Sequence, residues 1–138
     1  MSIEPILVGI LLFVIVVVSL LVWLGKAGRT RRAIRKREAL PLEQQIAAAS
    51  DLGGATPAQV ADAWRFIARC YRLDPAKLRP FDTVGYLNDT DYIRGDLMLP
   101  IEAALKGSGP IAEETPLLEL ATIVALRGDP SFLSAKFL

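Results

Sequence analysis

Few residues in this chain could carry chemistry, and their spacing narrows the choice further. The 138 residues include no histidine and one cysteine, Cys70. Without imidazole, the commonest general base near neutral pH and the commonest transition-metal ligand are both missing. One thiol cannot close an internal disulfide. Without histidine, neither a Cys–His nor a Ser–His nucleophile can be assembled, and a structural zinc site lacks its ligands. Gly53-Gly54-Ala55-Thr56 and Gly107-Ser108-Gly109 are glycine turns without GxxxxGK[ST] or GxGxxG around them, so no phosphate cradle is expected. Asp89, Thr90, Asp91 and Asp96 suggest a calcium loop, but its fifth position is Ile93. Its sixth is Arg94 where the turn requires glycine, and its twelfth is Pro100 where a bidentate glutamate belongs. These aspartates are expected to cap turns instead. No catalytic residue, metal site or cofactor is expected, and the reading is non-enzymatic.

The elements that would position any site divide by charge. A net charge of +1 hides a basic neck joined to an acidic remainder. Residues 1–39 hold Lys26, Arg29, Arg31, Arg32, Arg35, Lys36 and Arg37 against Glu4 and Glu38, whereas residues 40–138 carry nine Lys/Arg against thirteen Asp/Glu. The two parts therefore have charges of +5 and −4.

An apolar fraction of 52% and a mean hydropathy of +0.37 come largely from residues 6–24, nineteen residues without a charge. As a helix they extend roughly 28 Å, close to the hydrocarbon thickness of a bilayer. A cleavable signal would carry its positive charges before the apolar run; here they follow it. A retained transmembrane helix over 6–25 is expected. Because Lys and Arg stay on the cytoplasmic side, residues 1–5 should face outward and the rest should lie in the cytosol, at the cell (inner) membrane. Trp23 falls in the inner aromatic belt. With it, Lys26, Arg29, Arg31, Arg32, Arg35, Lys36 and Arg37 form the expected lipid-headgroup contact. The basic run has no interleaved aromatics, so nucleic acid is a disfavoured partner.

Beyond the basic juxtamembrane segment (26–40), the pattern is all-α. Pro41 starts a short helix with Leu42, Ile46 and Ala49 on one face, and a hinge follows through residue 55. Thr56 and Pro57 start a stronger helix, in which Val60, Trp64, Ile67 and Tyr71 form a buried stripe. Arg65, Arg69 and Arg72 lie off that stripe, and Cys70 is expected to be buried. Asp74-Pro75 begins a single turn. The stretch 73–95 has no long period, and Leu78, Phe81, Val84, Tyr86, Leu87 and Tyr92 are expected to pack it onto the helices. Asp96 should cap a helix over 97–106 that Gly107 closes. Thr115-Pro116 opens a last helix, with Leu117, Leu120, Ala121 and Val124 inward, which Gly128-Asp129-Pro130 ends. The domain thus spans 56–130. An apolar tail, 131–138, with Phe132, Leu133, Phe137 and Leu138, should dock on something.

Residues 64–80 (WRFIARCYRLDPAKLRP), a long loop, IEAAL and then GPIAEETPLLELATIVAL together resemble the acyl carrier protein family over residues 57–128. The resemblance implies a carrier-like set of three or four helices. It departs from the family where members carry phosphopantetheine on the serine of Asp-Ser-Leu, because Gly95-Asp96-Leu97 stands there and Asp96 replaces the modified residue. Acyl carriage is therefore not implied. The expected function is a single-pass, membrane-anchored adaptor or accessory subunit that presents a small acidic helical domain to a protein partner in the cytosol. The alternative is a carrier-like or regulatory partner of a membrane-associated acyl or lipid enzyme.

Overall fold

A computed structural model describes residues 3–49, 51–106 and 109–133. Among them the chain is all-helical, and the only β pairing is the isolated bridge between Thr83 and Pro116.

Helix α1, Glu4–Arg35, is one unbroken rod of 32 residues, about 48 Å long at the helical rise. It is long and apolar enough to cross a membrane by length and composition, and none of its apolar window is buried against the rest of the chain. The juxtamembrane segment is thus not a separate neck, since the helix continues through ten of its residues. Lys and Arg are good helix formers, and Arg32 and Arg35 in the last turn complement the helix dipole. Ala27 and Ile34, seven residues apart, are each only 1% exposed because the remainder of the molecule packs on that face.

The remainder is built on α3, Pro57–Tyr71. The Thr56 hydroxyl accepts from the Gln59 amide at 3.2 Å, and the Gln59 side chain accepts from the Thr56 amide at 2.9 Å, a reciprocal capping box. Val60, Trp64, Ile67 and Tyr71 are fully buried, while Arg65, Arg69 and Arg72 are exposed. Arg72 adopts a left-handed conformation (φ 57°) and Leu73 N–H bonds back to Ala68 O at 2.9 Å. Together they end the helix. Helix α3 packs mainly on α6, Leu117–Arg127, whose Leu117, Leu120, Ala121 and Val124 are buried. Helix α2, Leu42–Ala47, the 3-10 turn Pro75–Lys77 and α5, Leu99–Ala104, also lean on α3.

Several expectations require correction. The stretch 73–95 contains a helix, α4, Val84–Asn88, capped by the Thr83 hydroxyl; five residues are too few to show a period. Within the same stretch Leu78, Val84 and Leu87 are buried and Tyr86 packs partly on the core, as expected. Phe81 is 87% exposed and Tyr92 is 49% exposed, so neither packs onto the helices. Asp96 does not cap a helix over 97–106. Helix α5 begins at Leu99 behind Met98, Asp96 is exposed, and the Leu97 amide is taken by Asp91 Oδ2 at 2.8 Å. Pro100 sets the start, because its missing N–H is harmless only in a first turn. After Gly128 the chain re-enters a short helix, α7, Pro130–Leu133, where Leu133 packs against the core. Gly107, Phe137 and Leu138 lie outside the described residues.

Trp64 lies at the centre of this core with no exposure, and its Nε1–H donates to Pro75 O at 3.1 Å. Trp64→Ala should cost about 3–5 kcal/mol, the usual loss for a buried large aromatic. Urea melts of the two full-length proteins in the same detergent should show the drop, and equal midpoints would contradict the assignment of Trp64 to the core.

Candidate functional site

The seven cations that the sequence groups together are divided by the helix that carries them. Lys26, Arg31 and Arg37 reach the rest of the fold, whereas Arg29, Arg32, Arg35 and Lys36 have exposed side chains. Helical geometry produces the division. Arg31 lies on the same side as buried Ala27 and Ile34, and positions 29, 32 and 36 fall on the opposite side.

Arg31 serves as a distant cap. Its Nε donates to Thr90 O at 2.8 Å, one terminal nitrogen to Tyr71 O at 2.9 Å and the other to Arg72 O at 3.4 Å. The last carbonyls of a helix have no partner within it, so a cation from α1 satisfies the end of α3 and meets its negative dipole pole. Burial lowers the Arg31 pKa from its ordinary value, with the nearby Tyr92 opposing the shift.

Arg37 makes the tightest charged contact. Its two terminal nitrogens grip Asp82 at 2.7 and 2.9 Å, and one also donates to Lys77 O at 3.2 Å. Its guanidinium lies 5.5 Å from the centre of the Tyr86 ring. The hydrogen bond to Asp82 is the main cause of a raised Arg37 pKa. Asp82 is 8% exposed and accepts a third bond, from the Arg79 amide at 2.8 Å. Its own carbonyl accepts from Leu117 N–H at 2.7 Å, at the start of α6. Leu40 N–H to Ala76 O (2.9 Å), Lys77 Nζ to Arg35 O (2.5 Å) and Arg79 to Glu38 O complete the seam. Lys26 pairs with Asp89 at 3.4 Å from a largely exposed position, so this pair contributes little.

Beside the seam, exposed Phe81 forms a ridge between two grooves. The larger encloses about 640 Å³ and is lined by Leu40, Gln44, Gln45, Ala48, Arg79 and Leu118. The other, about 360 Å³, runs toward Gly53, Pro116, Glu119 and Thr122. Gln45 Oε1, at the wall of the larger groove, is buried without a hydrogen-bond partner. Phe81 is thus a bulky ring left exposed between two largely apolar hollows. The expectation that Phe81 packs its loop onto the helices misses this ridge, and nothing in the spacing singles out Asp82. The burial of Arg31 was signalled only by Ala27 and Ile34, two apolar positions at helical spacing inside a basic run.

The remaining candidates stay apart. Asp96 is exposed in the turns before α5, Trp23 is exposed on α1, and Asp89 pairs with Arg94 as well as with Lys26. Among the described residues no group of three or more His, Cys, Asp or Glu could hold a metal ion. Cys70 is buried, and desolvation pushes its thiol from an ordinary 9.0 up to about 12.

Two outcomes follow. Arg37→Ala leaves the Asp82 carboxylate buried without its counter-charge and should destabilise by about 2–3 kcal/mol, less than the roughly 3–5 kcal/mol of a fully buried pair. Arg29→Ala should stay within about 0.5 kcal/mol, and comparable losses in urea melts would refute the division of the cluster. For Cys70, the folded thiol keeps its proton at a pH where an unfolded one ionises. Its contribution to stability is therefore whole below pH 9 and declines as the pH rises toward 12. Alkylation at pH 8 should be slow in the native protein and fast in urea; equal rates would mean that the thiol is open to solvent. Comparison with known proteins finds no matching family model, no matching curated protein and no matching solved structure.

Proposed function

We propose that the chain is a single-pass, membrane-anchored adaptor or accessory subunit, without chemistry of its own, that holds a small acidic helical head in the cytosol for a protein partner. The observation that carries this reading is the continuity of α1. The rod that bears the uncharged run 6–24 extends without a break into the head, which buries Ala27 and Ile34 and fastens Arg31 and Arg37. The seven cations follow the apolar run instead of preceding it, which supports a retained helix over a cleaved signal. The charge order supports the orientation: five exposed cations sit just past the apolar run, on the side held in the cytosol. The Phe81 ridge supports the docking role, because among the described residues of the head it is the most exposed large apolar side chain.

The test is topological. A reporter active only in the cytosol, fused after Leu138, should be active, and the protein should stay in the membrane pellet after a carbonate wash with its residues 6–24 intact by mass. Replacing Arg29, Arg32, Arg35 and Lys36 with glutamine should mix the orientations, since these exposed cations hold the topology without serving the head. An inactive reporter, or a mass lacking the apolar run, would overturn the reading.

A further inference from the structure

We infer that residues 89–93 are the membrane-contacting edge of the head, with Tyr92 and Ile93 seated in the headgroup layer of the same bilayer that α1 crosses; this rests on the spanning role of α1 proposed above. Two contacts with α1 fix the height of the loop. Asp89 meets Lys26, two residues past the apolar run, and Thr90 O meets Arg31. Helical side chains lean toward the helix N-terminus, so both contacts lie nearer the apolar run than the Cα atoms that supply them. Lys26 is about 3 Å past the run and Arg31 about 10 Å past it. With a polar layer about 5–7 Å deep on each side of the hydrocarbon, the Asp89 contact lies within that layer and the Thr90 contact, drawn back by the lean of Arg31, at its outer edge. The loop is therefore at headgroup height.

The loop is also braced by its own side chains. Asp91, 8% exposed, accepts from Ile93 N–H at 3.1 Å and Leu97 N–H at 2.8 Å, and the Thr90 hydroxyl donates to Leu87 O at 2.6 Å. Arg94 bonds to Asp89 and, at 2.6 Å, to Glu113. The carboxylate nearest the lipid, Asp89, is thus neutralised by Lys26 and Arg94 and would not be repelled by an anionic surface. What remains outward is Tyr92 at 49% and Ile93 at 64% exposure. Tyrosine is suited to this depth because its ring enters the apolar side while its hydroxyl stays hydrated.

The experiment uses the full chain with Cys70→Ala, reconstituted in vesicles of phosphatidylcholine and phosphatidylglycerol. Single cysteines at Ile93, at Val14 within the span and at Arg127 on the far helix each carry a polarity-sensitive fluorophore. Expected are quenching at 93 by nitroxide on a shallow acyl position, quenching at 14 by a deep nitroxide, and quenching at 127 only by aqueous iodide. Quenching of 93 by iodide alone, with 14 quenched by lipid, overturns the loop contact and leaves the span standing. Shielding of 93 from both quenchers assigns the loop to a protein contact and also overturns it. No lipid quenching at 14 overturns both readings. A second variant, Tyr92→Cys, should reproduce the result at 93.

Discussion

The fold depends on giving a counter-charge to Asp82. This carboxylate sits at 8% exposure in the loop between the 3-10 turn and α4, where an unpaired ion would cost several kcal/mol in lost hydration. Relief comes from outside the core, from Arg37 just past the end of α1. The guanidinium matches the carboxylate with two parallel bonds, and its weak hydration lets it rest beside the Tyr86 ring. Lysine would offer a point charge without the fork. Because the Asp82 carbonyl also accepts from the first amide of α6, one residue fixes where α1 ends, where the loop turns and where α6 begins.

The clamp also resolves two opposing needs of the basic run. Cations beside an apolar span stay near the lipid surface, yet a helix that only touched lipid would leave the head swinging on a tether. Helical periodicity meets both needs with one stretch of sequence. The face of Ala27, Arg31 and Ile34 is committed to the head, and the face of Arg29, Arg32 and Lys36 is left in solvent. Along the rod itself Arg31 is the arginine turned inward, and it completes the C-terminal end of α3, the helix on which the others pack.

What could be read from the sequence were the local features. Thr56-Pro57 and the Val60, Trp64, Ile67, Tyr71 stripe locate α3 because cap and period lie within the segment itself, and the uncharged run 6–24 is equally self-contained. The reading failed where the deciding partner is distant. Asp91 rather than Asp96 holds the Leu97 amide because the loop folds back on itself, and no spacing encodes that choice. Phe81 looks like a core residue in composition, but its neighbour Asp82 must point inward to Arg37, which turns the ring out. The candidate contact surface was therefore invisible for the reason that makes it available: a buried ion pair took the inward place beside it.

The charge arrangement suits the membrane-anchored reading proposed above. From Leu24 to Arg35 the rod advances about 17 Å, roughly two Debye lengths at physiological ionic strength. The Phe81 ridge is tied to the far end of that rod through Asp82 and Arg37, and Asp51 and Glu119 line the grooves beside it, so on that reading the field of an anionic leaflet would be largely screened there. Those acids can stay unpaired with the membrane and still give the distal surface a negative rim. At the near end, inside one Debye length, Asp89 is held between Lys26 and Arg94, and Asp91 is spent on backbone amides. On the reading proposed above, a head fixed by Arg31 and Arg37 would turn toward the lipid only its neutralised end. Residues 40–138 carry the net charge of −4, and the unbroken α1 gives that charge a fixed place relative to the apolar run.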